Sequence, residues 1–215
     1  MADSRRRYSL LDKALMNCNQ GLQTLFTPPL ARRANPAESR SDDTLTPLEM
    51  KHSAGLMRVD HTGEICAQAL YLGQAAVARK PELKQKLITA ADEEADHLAW
   101  CQSRLTELNS RPSYLNLFWY LASFKLGVFA GLAGDAWSLG YVVETERQVS
   151  KHLDEHLQNL PARDVKSRAI LRQMRLDEAA HADQAEALGG KEMPAIVKCL
   201  MRLQSKIMTK TAYYL

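Results

Sequence analysis

The sequence lacks the cysteine patterns that would define a zinc-binding or disulfide-stabilised protein. Its four cysteines form no Cys-x-x-Cys pair and no tight cluster, so neither a zinc ribbon nor a disulfide framework is indicated, and a reducing compartment is expected. A Gly-x-Gly-x-x-Gly motif is also missing, as is any flavin or iron–sulfur motif. The sequence therefore indicates no nicotinamide, flavin or iron–sulfur site.

Strand signals and strong charge are missing as well. No alternating apolar and polar run is bounded by turn residues, so an all-α protein is predicted. The net charge of +3 permits contact with anionic lipid but is too small to indicate a nucleic-acid partner. Residues 1–46 begin with a basic run but lack the apolar core of a signal peptide, so a cytosolic chain is expected.

Four short motifs carry the clearest functional signal. In order they are Glu64, Glu94-x-x-His97, Glu146 and Glu178-x-x-His181. Residues three apart share a helix face, and in di-iron and di-manganese bundles two helices each supply one inward Glu while the other two each supply a Glu-x-x-His. Glu64 lies 30 residues before Glu94, and Glu146 lies 32 residues before Glu178. The chain therefore predicts two copies of one helical hairpin around a metal pair.

The flanking residues separate these motifs from a false match. Residues 49–52 also read Glu-x-x-His, but Thr46 and Pro47 before them form a capping box with proline at the first helical position. The four carboxylates above lie instead on largely apolar helix faces, where burial is costly unless they are paired or bind metal. Glu144 points away from the face of Glu146, so Glu146 is the predicted inward residue. Any one of these residues alone is better explained as a solvated Glu or a core His; the prediction rests on the set.

Helix start and stop signals predict an arm, residues 1–46, that is partly helical or loosely ordered, and a helical domain at 47–215. The predicted fold is a ferritin-like four-helix bundle with an apolar crossover helix and an additional C-terminal helix. The expected core helices run from Pro47 to about Arg79, from about Glu82 to Asn109, from about Asp135 to Asn159 and from about Ala162 to Leu188, and the last helix follows Pro194.

The stretch from Tyr114 to Tyr141 differs in composition from the rest of the chain. Its formal charges are Lys125 and Asp135, and aromatic residues stand among small ones. Two readings remain open: a crossover helix that also rests in a lipid surface, or crossover packing that is simply buried. In the first reading this stretch forms the mouth of a substrate pocket, with Trp119, Leu126 and Phe129 as its lining. The arm likewise could be loosely packed on the bundle or lie on a membrane.

Several motifs resemble one known family. The segments 58–64 (Arg-Val-Asp-His-Thr-Gly-Glu), 92–98 (Asp-Glu-Glu-Ala-Asp-His-Leu) and 177–181 (Asp-Glu-Ala-Ala-His), the helix of Glu146 and the C-terminal Ala-Tyr-Tyr-Leu are similar to the demethoxyubiquinol hydroxylase family of ubiquinone biosynthesis. The resemblance covers roughly residues 47–215. Two departures stand out: the chain ends at Tyr-Tyr-Leu where relatives often continue, and Leu153 stands where some relatives have Tyr.

The resemblance implies a monooxygenase that uses dioxygen to hydroxylate the ring of a polyprenylated methoxy-methyl-benzoquinol. It implies two iron ions per chain, with Glu94 and Glu178 bridging and Glu64, His97, Glu146 and His181 completing the site. These are the same six residues that the spacing predicts. It also implies a peripheral position on the cytoplasmic face of the cell membrane, with other ubiquinone-biosynthesis proteins as candidate partners and no nucleic acid.

Histidine ligands usually donate their second ring proton to a carboxylate. Asp177 is predicted to pair with His97, and Glu93 with His181, because each acid directly precedes the Glu of the opposite hairpin. His152 is a further candidate for the site, whereas His52 and His156 are expected at the surface.

Two other functions share the same ligand types. A ferritin-type iron store assembles into a hydrophilic shell, which the aromatic crossover disfavours. A rubrerythrin-type peroxide scavenger usually adds a cysteine-rich module, which the sequence lacks. A helical scaffold without metal would leave the buried carboxylates unexplained.

Overall fold

The computed structural model describes residues 9–41 and 44–215, and within these residues it is helical without strands. Residues 1–8 and 42–43 of the expected arm lie outside the described residues. The described part contains seven helices. They are α1 (Leu10–Phe26), α2 (Pro47–Val77), α3 (Pro81–Glu107), α4 (Asn116–Leu132), α5 (Asp135–Asn159), α6 (Val165–Ala187) and α7 (Ala195–Tyr214).

Local signals account for the helix ends. Thr46 and Glu49 form a capping box at the start of α2, with Pro47 at the first position, so Glu49 caps a helix as predicted. Helix α5 spans the predicted residues Asp135–Asn159. Helix α6 begins at Val165 rather than near Ala162, because the side chain of Asp164 accepts a hydrogen bond from the Ser167 amide and caps it.

Two antiparallel hairpins, α2 with α3 and α5 with α6, form the predicted ferritin-like four-helix bundle. Helix α4 connects them and packs along α2, while α7 lies against α2 and α5. One apolar layer of the bundle contains Met57, Trp100, Leu153 and Met174. A second layer contains Tyr71, Leu87, Leu139 and Val143. The four motifs fall between these two layers on every helix, and the bundle therefore holds them at its centre.

Helix α4 has one face toward α2 and one toward the outside. Trp119, Ser123 and Gly127 recur at intervals of four residues and are buried, as expected for one helix face. Trp119 is 5% exposed, so the prediction that it lines a membrane-facing mouth is wrong: it lies on the face that packs on the bundle. Phe129 is 67% exposed and points outward. None of the helices in the described ranges is both long and apolar enough to cross a membrane.

Glycines allow α4 to approach α2 at backbone distance. A Cβ atom at Gly127 would collide with the carbonyl oxygen of Leu70, and one at Gly73 would collide with that of Phe124. Gly63, directly before Glu64, has no such neighbour within 4 Å. It lines a cavity instead.

We predict opposite effects for two Gly-to-Ala substitutions. Gly127→Ala should lower the free energy of unfolding by about 1–3 kcal/mol, because the added methyl group forces α4 away from α2. Gly63→Ala should raise it by about 0.5–1 kcal/mol through helix propensity alone. Urea denaturation of both variants measures the difference, and equal stabilities would contradict this helix contact.

Candidate metal centre

The four motifs converge on one buried layer. Glu64 comes from α2, Glu94 and His97 from α3, Glu146 from α5, and the second Glu-x-x-His pair from α6. All four carboxylate residues are 2% exposed or less. Carboxylates that are this deeply buried require protons, cations or hydrogen-bond donors to offset the loss of water.

His97 marks one half of the layer. Its Nδ1 atom lies 3.0 Å from Glu94 Oε2 and 3.1 Å from Glu178 Oε1. The same atom lies 3.6 Å from Glu64 Oε2. One ligand atom from each of these four residues lies within 4.8 Å of all the others. Such a group of oxygen and imidazole donors matches the ligands of a first-row divalent metal ion.

His181 marks the other half. Its Nδ1 atom lies 3.2 Å from Glu94 Oε1 and 3.3 Å from Glu178 Oε2. Glu146 lies within hydrogen-bonding reach of Glu178 on this side. Glu94 and Glu178 thus present one oxygen to each histidine, which is the arrangement expected of two carboxylates that bridge a metal pair.

The electrostatics of the layer favour cations. Burial raises the pKa of Glu64 and of Glu146 well above the usual range. Burial alone would lower the pKa of His181, but hydrogen bonds to Glu178 and Glu94 raise it to about 12. Protons and metal ions would therefore compete for these groups, and metal binding would release protons.

The donor set fits a metal pair. Glu94 Oε1, Glu146 Oε2 and Glu178 Oε1 are buried and have no donor in good hydrogen-bond geometry, although a histidine Nδ1 atom lies 3.2 Å from the first and 3.1 Å from the third. Unsatisfied buried oxygens of this kind are rare and costly in folded proteins. Their number and their position between two imidazole rings are explained if they are ligand atoms.

Carboxylates also contact the outward-facing nitrogen of each histidine. His97 Nε2 lies 2.9 Å from Asp177 Oδ2, and His181 Nε2 lies 3.0 Å from Glu93 Oε2. The structure thus brings together both predicted pairs. Each contact orients the ring so that Nδ1 faces the interior, as a metal ligand requires.

Sequence reasoning missed two contributors to the site. Tyr71 donates a hydrogen bond to Glu146 Oε1, and burial raises the pKa of Tyr71 well above its usual value, so it keeps the proton that it donates. Tyr71 lies two helical turns after Glu64, and this spacing could have identified it. Arg33, from the loop between α1 and α2, contacts Asp177 and His97. No sequence pattern indicates that contact, because a loop has no periodicity.

A cavity of about 110 Å³ lies beside the carboxylate layer. Residues of α2, α4, α5 and α7 line it, including Gly63, Leu126, Thr145 and His152. His152 is thus not in the carboxylate layer; its Nε2 atom lies 2.8 Å from Ser205 Oγ on the cavity wall. Gly63 and Thr145 directly precede Glu64 and Glu146 in the chain, so the cavity borders the helix segments that carry these two glutamates.

The structure overturns one expectation about a histidine. His156 was expected at the surface, but it is buried and its Nδ1 atom lies 2.7 Å from Asp60 Oδ1. Burial alone would lower the pKa of His156, but Asp60 raises it above the usual value. The pair joins α2 to α5 one turn from Glu64. His52 is half-buried and bonded to Tyr213.

A helical bundle that holds a buried layer of four glutamates and two histidines belongs to the class of carboxylate-bridged metal proteins. Comparison with known proteins narrows this class. Residues 51–212 match the protein family described as Ubiquinone biosynthesis protein COQ7, and the chain belongs to this family.

Relatives that match nearly the whole chain support the same family. A protein of Xanthomonas oryzae pv. oryzae (strain PXO99A) is 56% identical over 210 residues, which cover 98% of this chain and 97% of that protein. One of Xanthomonas campestris pv. campestris (strain 8004) is 55% identical over 208 residues, 97% of this chain and 96% of that protein. One of Xylella fastidiosa (strain 9a5c) is 52% identical over 210 residues, which cover 98% of this chain and 97% of that protein. Each is named 3-demethoxyubiquinol 3-hydroxylase, so the resemblance stated from the motifs is confirmed and the chain is a monooxygenase of ubiquinone biosynthesis.

We predict that the contribution of the Asp60–His156 pair to stability depends on pH. The folded pKa of His156 is raised above its unfolded value of about 6.5. The pair therefore contributes its full stabilisation below pH 6.5, and this stabilisation is lost as the pH rises through the folded pKa. Asp60→Asn should therefore lower the unfolding free energy by about 3 kcal/mol at pH 6 and by less at pH 9. Denaturant unfolding at both pH values measures this.

Asp154→Asn is the matched control, because Asp154 pairs with Arg175 on the surface and such pairs contribute about 1 kcal/mol or less. An equal loss for Asp60→Asn at both pH values would contradict an ionised pair.

Proposed function

We propose that this enzyme hydroxylates the ring of a demethoxyubiquinol at a membrane surface, with two iron ions held in the carboxylate layer. The observation that carries the proposal is the layer itself: Glu94 and Glu178 each present one oxygen to each histidine, in a chain of the COQ7 family. The relatives' name supplies the substrate.

The six predicted residues would hold the metal pair. His97 Nδ1, Glu64 and the two bridging glutamates form one half, and His181 Nδ1, Glu146 and the same bridges form the other. When bound, iron in such a site supplies open coordination positions at which dioxygen is activated.

The protein's own groups prepare the site in three ways. The apolar layers above and below exclude water from the carboxylates. Tyr71 holds Glu146 through its hydroxyl group, while Asp177 and Glu93 hold the two imidazole rings. The cavity lined by Leu126 and other apolar side chains would receive the quinol ring, with His152 and Ser205 as polar groups on its wall.

The outer surface supports binding to lipid. Helices α4 and α7, which both border the cavity, expose large apolar side chains to the outside; these are Leu117, Phe118, Leu121, Phe129 and Leu132 on α4, and Ile196, Leu200, Leu203 and Ile207 on α7. Helix α1 adds Leu11, Leu15, Leu22 and Phe26. Exposed apolar faces of this extent mark an interaction surface, and amphipathic helices that lie in a bilayer interface have this composition. We place this surface on the cytoplasmic face of the cell membrane, where a substrate with a polyprenyl tail would enter the cavity from the lipid.

The reaction can be tested directly. Protein reconstituted with ferrous salt, reduced without oxygen and then exposed to ¹⁸O₂ with a short-chain demethoxyquinol should add one labelled oxygen atom to the ring, as read by mass spectrometry. Glu178→Gln should lower this yield by about 100-fold or more. Loss of a residue that hydrogen-bonds to a metal ligand already lowers activity by about 10–100-fold, and loss of the ligand itself should lower it at least as much.

Glu49→Gln is the matched control, because Glu49 belongs to the other Glu-x-x-His sequence and caps a helix. Gln is also accepted in a capping box, so iron content and yield should stay unchanged. Iron bound far beyond two ions per chain, or rapid consumption of peroxide without ring hydroxylation, would instead favour iron storage or peroxide scavenging.

Two substitutions on α4 should separate membrane binding from substrate binding. Phe129→Asp should lower partitioning onto phosphatidylglycerol–phosphatidylethanolamine vesicles by about tenfold or more, because burial of one phenyl ring in lipid contributes roughly 1.5–3 kcal/mol. Leu126→Asp should lower the hydroxylation rate with unchanged vesicle binding, since Leu126 lines the cavity. Vesicle co-sedimentation and the ring assay measure the two effects.

Leu176→Asp serves as the control for vesicle binding, because Leu176 is an exposed residue on α6, a helix that packs on α3 and α5. Unchanged vesicle binding of Phe129→Asp would contradict the membrane surface, and loss of iron in Leu126→Asp would mean that this residue supports the core.

A further inference from the structure

The loop between α1 and α2 is fixed to the His97 half of the site. The backbone amide of Arg32 donates a hydrogen bond to Asp96 Oδ1 over 2.6 Å, and that of Arg33 lies 3.4 Å from the same oxygen. Asp96 is buried on α3. Ala37, in the same loop, is part of the apolar core. The loop is therefore a structural part of the bundle at this point.

The side chain of Arg33 contacts four side chains from two helices. Its Nε atom lies 2.8 Å from Asp96 Oδ2, and its Nη1 atom lies 2.8 Å from Asp177 Oδ2. Its Nη2 atom lies 3.2 Å from His97 Nε2, and the guanidinium group lies 4.8 Å from the centre of the Trp100 ring. The planar fork of arginine suits two carboxylates at once, which lysine cannot reproduce.

Arg33 and His97 share one oxygen of Asp177. Asp177 Oδ2 accepts from His97 Nε2 over 2.9 Å as well as from Arg33. Asp177 Oδ1 accepts from Gln173 Nε2 over 2.9 Å. A carboxylate behind a ligand histidine increases the electron donation of the ring to the metal. Because Arg33 draws on the same oxygen, it weakens that donation, and it adds a positive charge close to the ring.

The His181 half is built differently. Its carboxylate is Glu93, whose side chain is 51% exposed, whereas that of Asp177 is 18% exposed. Water therefore screens the charge of Glu93 more strongly. The two ligand sets are equivalent by sequence, but their surroundings are not.

We propose that Arg33 is a positioning residue that, through Asp177 and His97, favours the ferrous state of the iron at the His97 half. The proposal rests on the proposed iron pair and adds a residue that tunes it. A positive charge and a weakened carboxylate–histidine contact both disfavour the more highly charged ferric ion, so the two effects have the same sign. Iron must be ferrous to react with dioxygen, and Arg33 thus holds this half ready for the reaction.

The test is a redox titration of the iron-loaded enzyme without quinol, with the two one-electron potentials followed by electron paramagnetic resonance. Arg33→Gln should shift one potential to a more negative value by about 59 mV, which is a tenfold change in the ratio of ferrous to ferric ion. Asp177→Asn should shift the same potential to a more positive value. Glu93→Gln should raise the other potential.

Two control variants separate this effect from a structural one. Arg32→Gln removes a positive charge from the same loop, but the Arg32 side chain is exposed and contacts Asp92 at the surface, so both potentials should stay unchanged. Arg33→Lys keeps the charge next to Asp177 and should retain most of the wild-type potential. If Arg33→Gln fails to load iron, the other two variants still decide the matter: Arg33→Lys should shift the potential slightly to more negative values, and Asp177→Asn should shift it to more positive values.

Several outcomes would overturn the proposal. They are equal shifts for Arg33→Gln and Arg32→Gln, shifts of the same sign for Arg33→Gln and Asp177→Asn, or equal shifts of both potentials in Arg33→Gln. Wild-type protein that binds no iron pair would overturn this proposal and the proposed function together. Opposite shifts in a protein that does not hydroxylate the quinol would support Arg33's role and reject the proposed substrate alone.

Discussion

The structure depends on a layer of buried carboxylates between two layers of apolar side chains. Glu64, Glu94, Glu146 and Glu178 lie at the centre of a helical bundle with almost no contact with water. Four negative charges in so small a space would repel one another and lose their hydration. Burial raises the pKa of Glu64 and of Glu146, so that these two carboxylates bind protons more readily. Metal ions would replace those protons, which couples metal binding to the fold.

The two halves of the carboxylate layer have equivalent candidate ligands but different surroundings. The two helical hairpins supply equivalent ligands, but different segments pack against them. Helices α4 and α7 lie on α2 and α5 and border the cavity. The loop after α1 places Arg33 at α3 and α6. One side of the layer thus borders a largely apolar cavity, while the other carries a network of charged side chains.

Much of the fold and the convergence of the six candidate ligands could be predicted, because both follow from short-range rules. Helix ends coincide with Pro, Gly and capping residues, and ligands three residues apart share a helix face. The predictions failed where a contact joins residues that are distant in sequence. Trp119 is buried because α4 turns that face toward α2, and His156 is buried because Asp60 lies opposite it. Whether an apolar or ionisable residue is exposed depends on its neighbours in space.

The sequence by itself determined an all-α chain, the order of its helices and six residues able to bind a metal pair, because periodicity and spacing along a helix are properties of the chain alone. The tertiary structure decided which oxygen faces which nitrogen, that Tyr71 holds Glu146, and that Arg33 reaches Asp177. These contacts connect different helices and a loop. Their distances follow from how the helices pack, which no local pattern in the chain encodes.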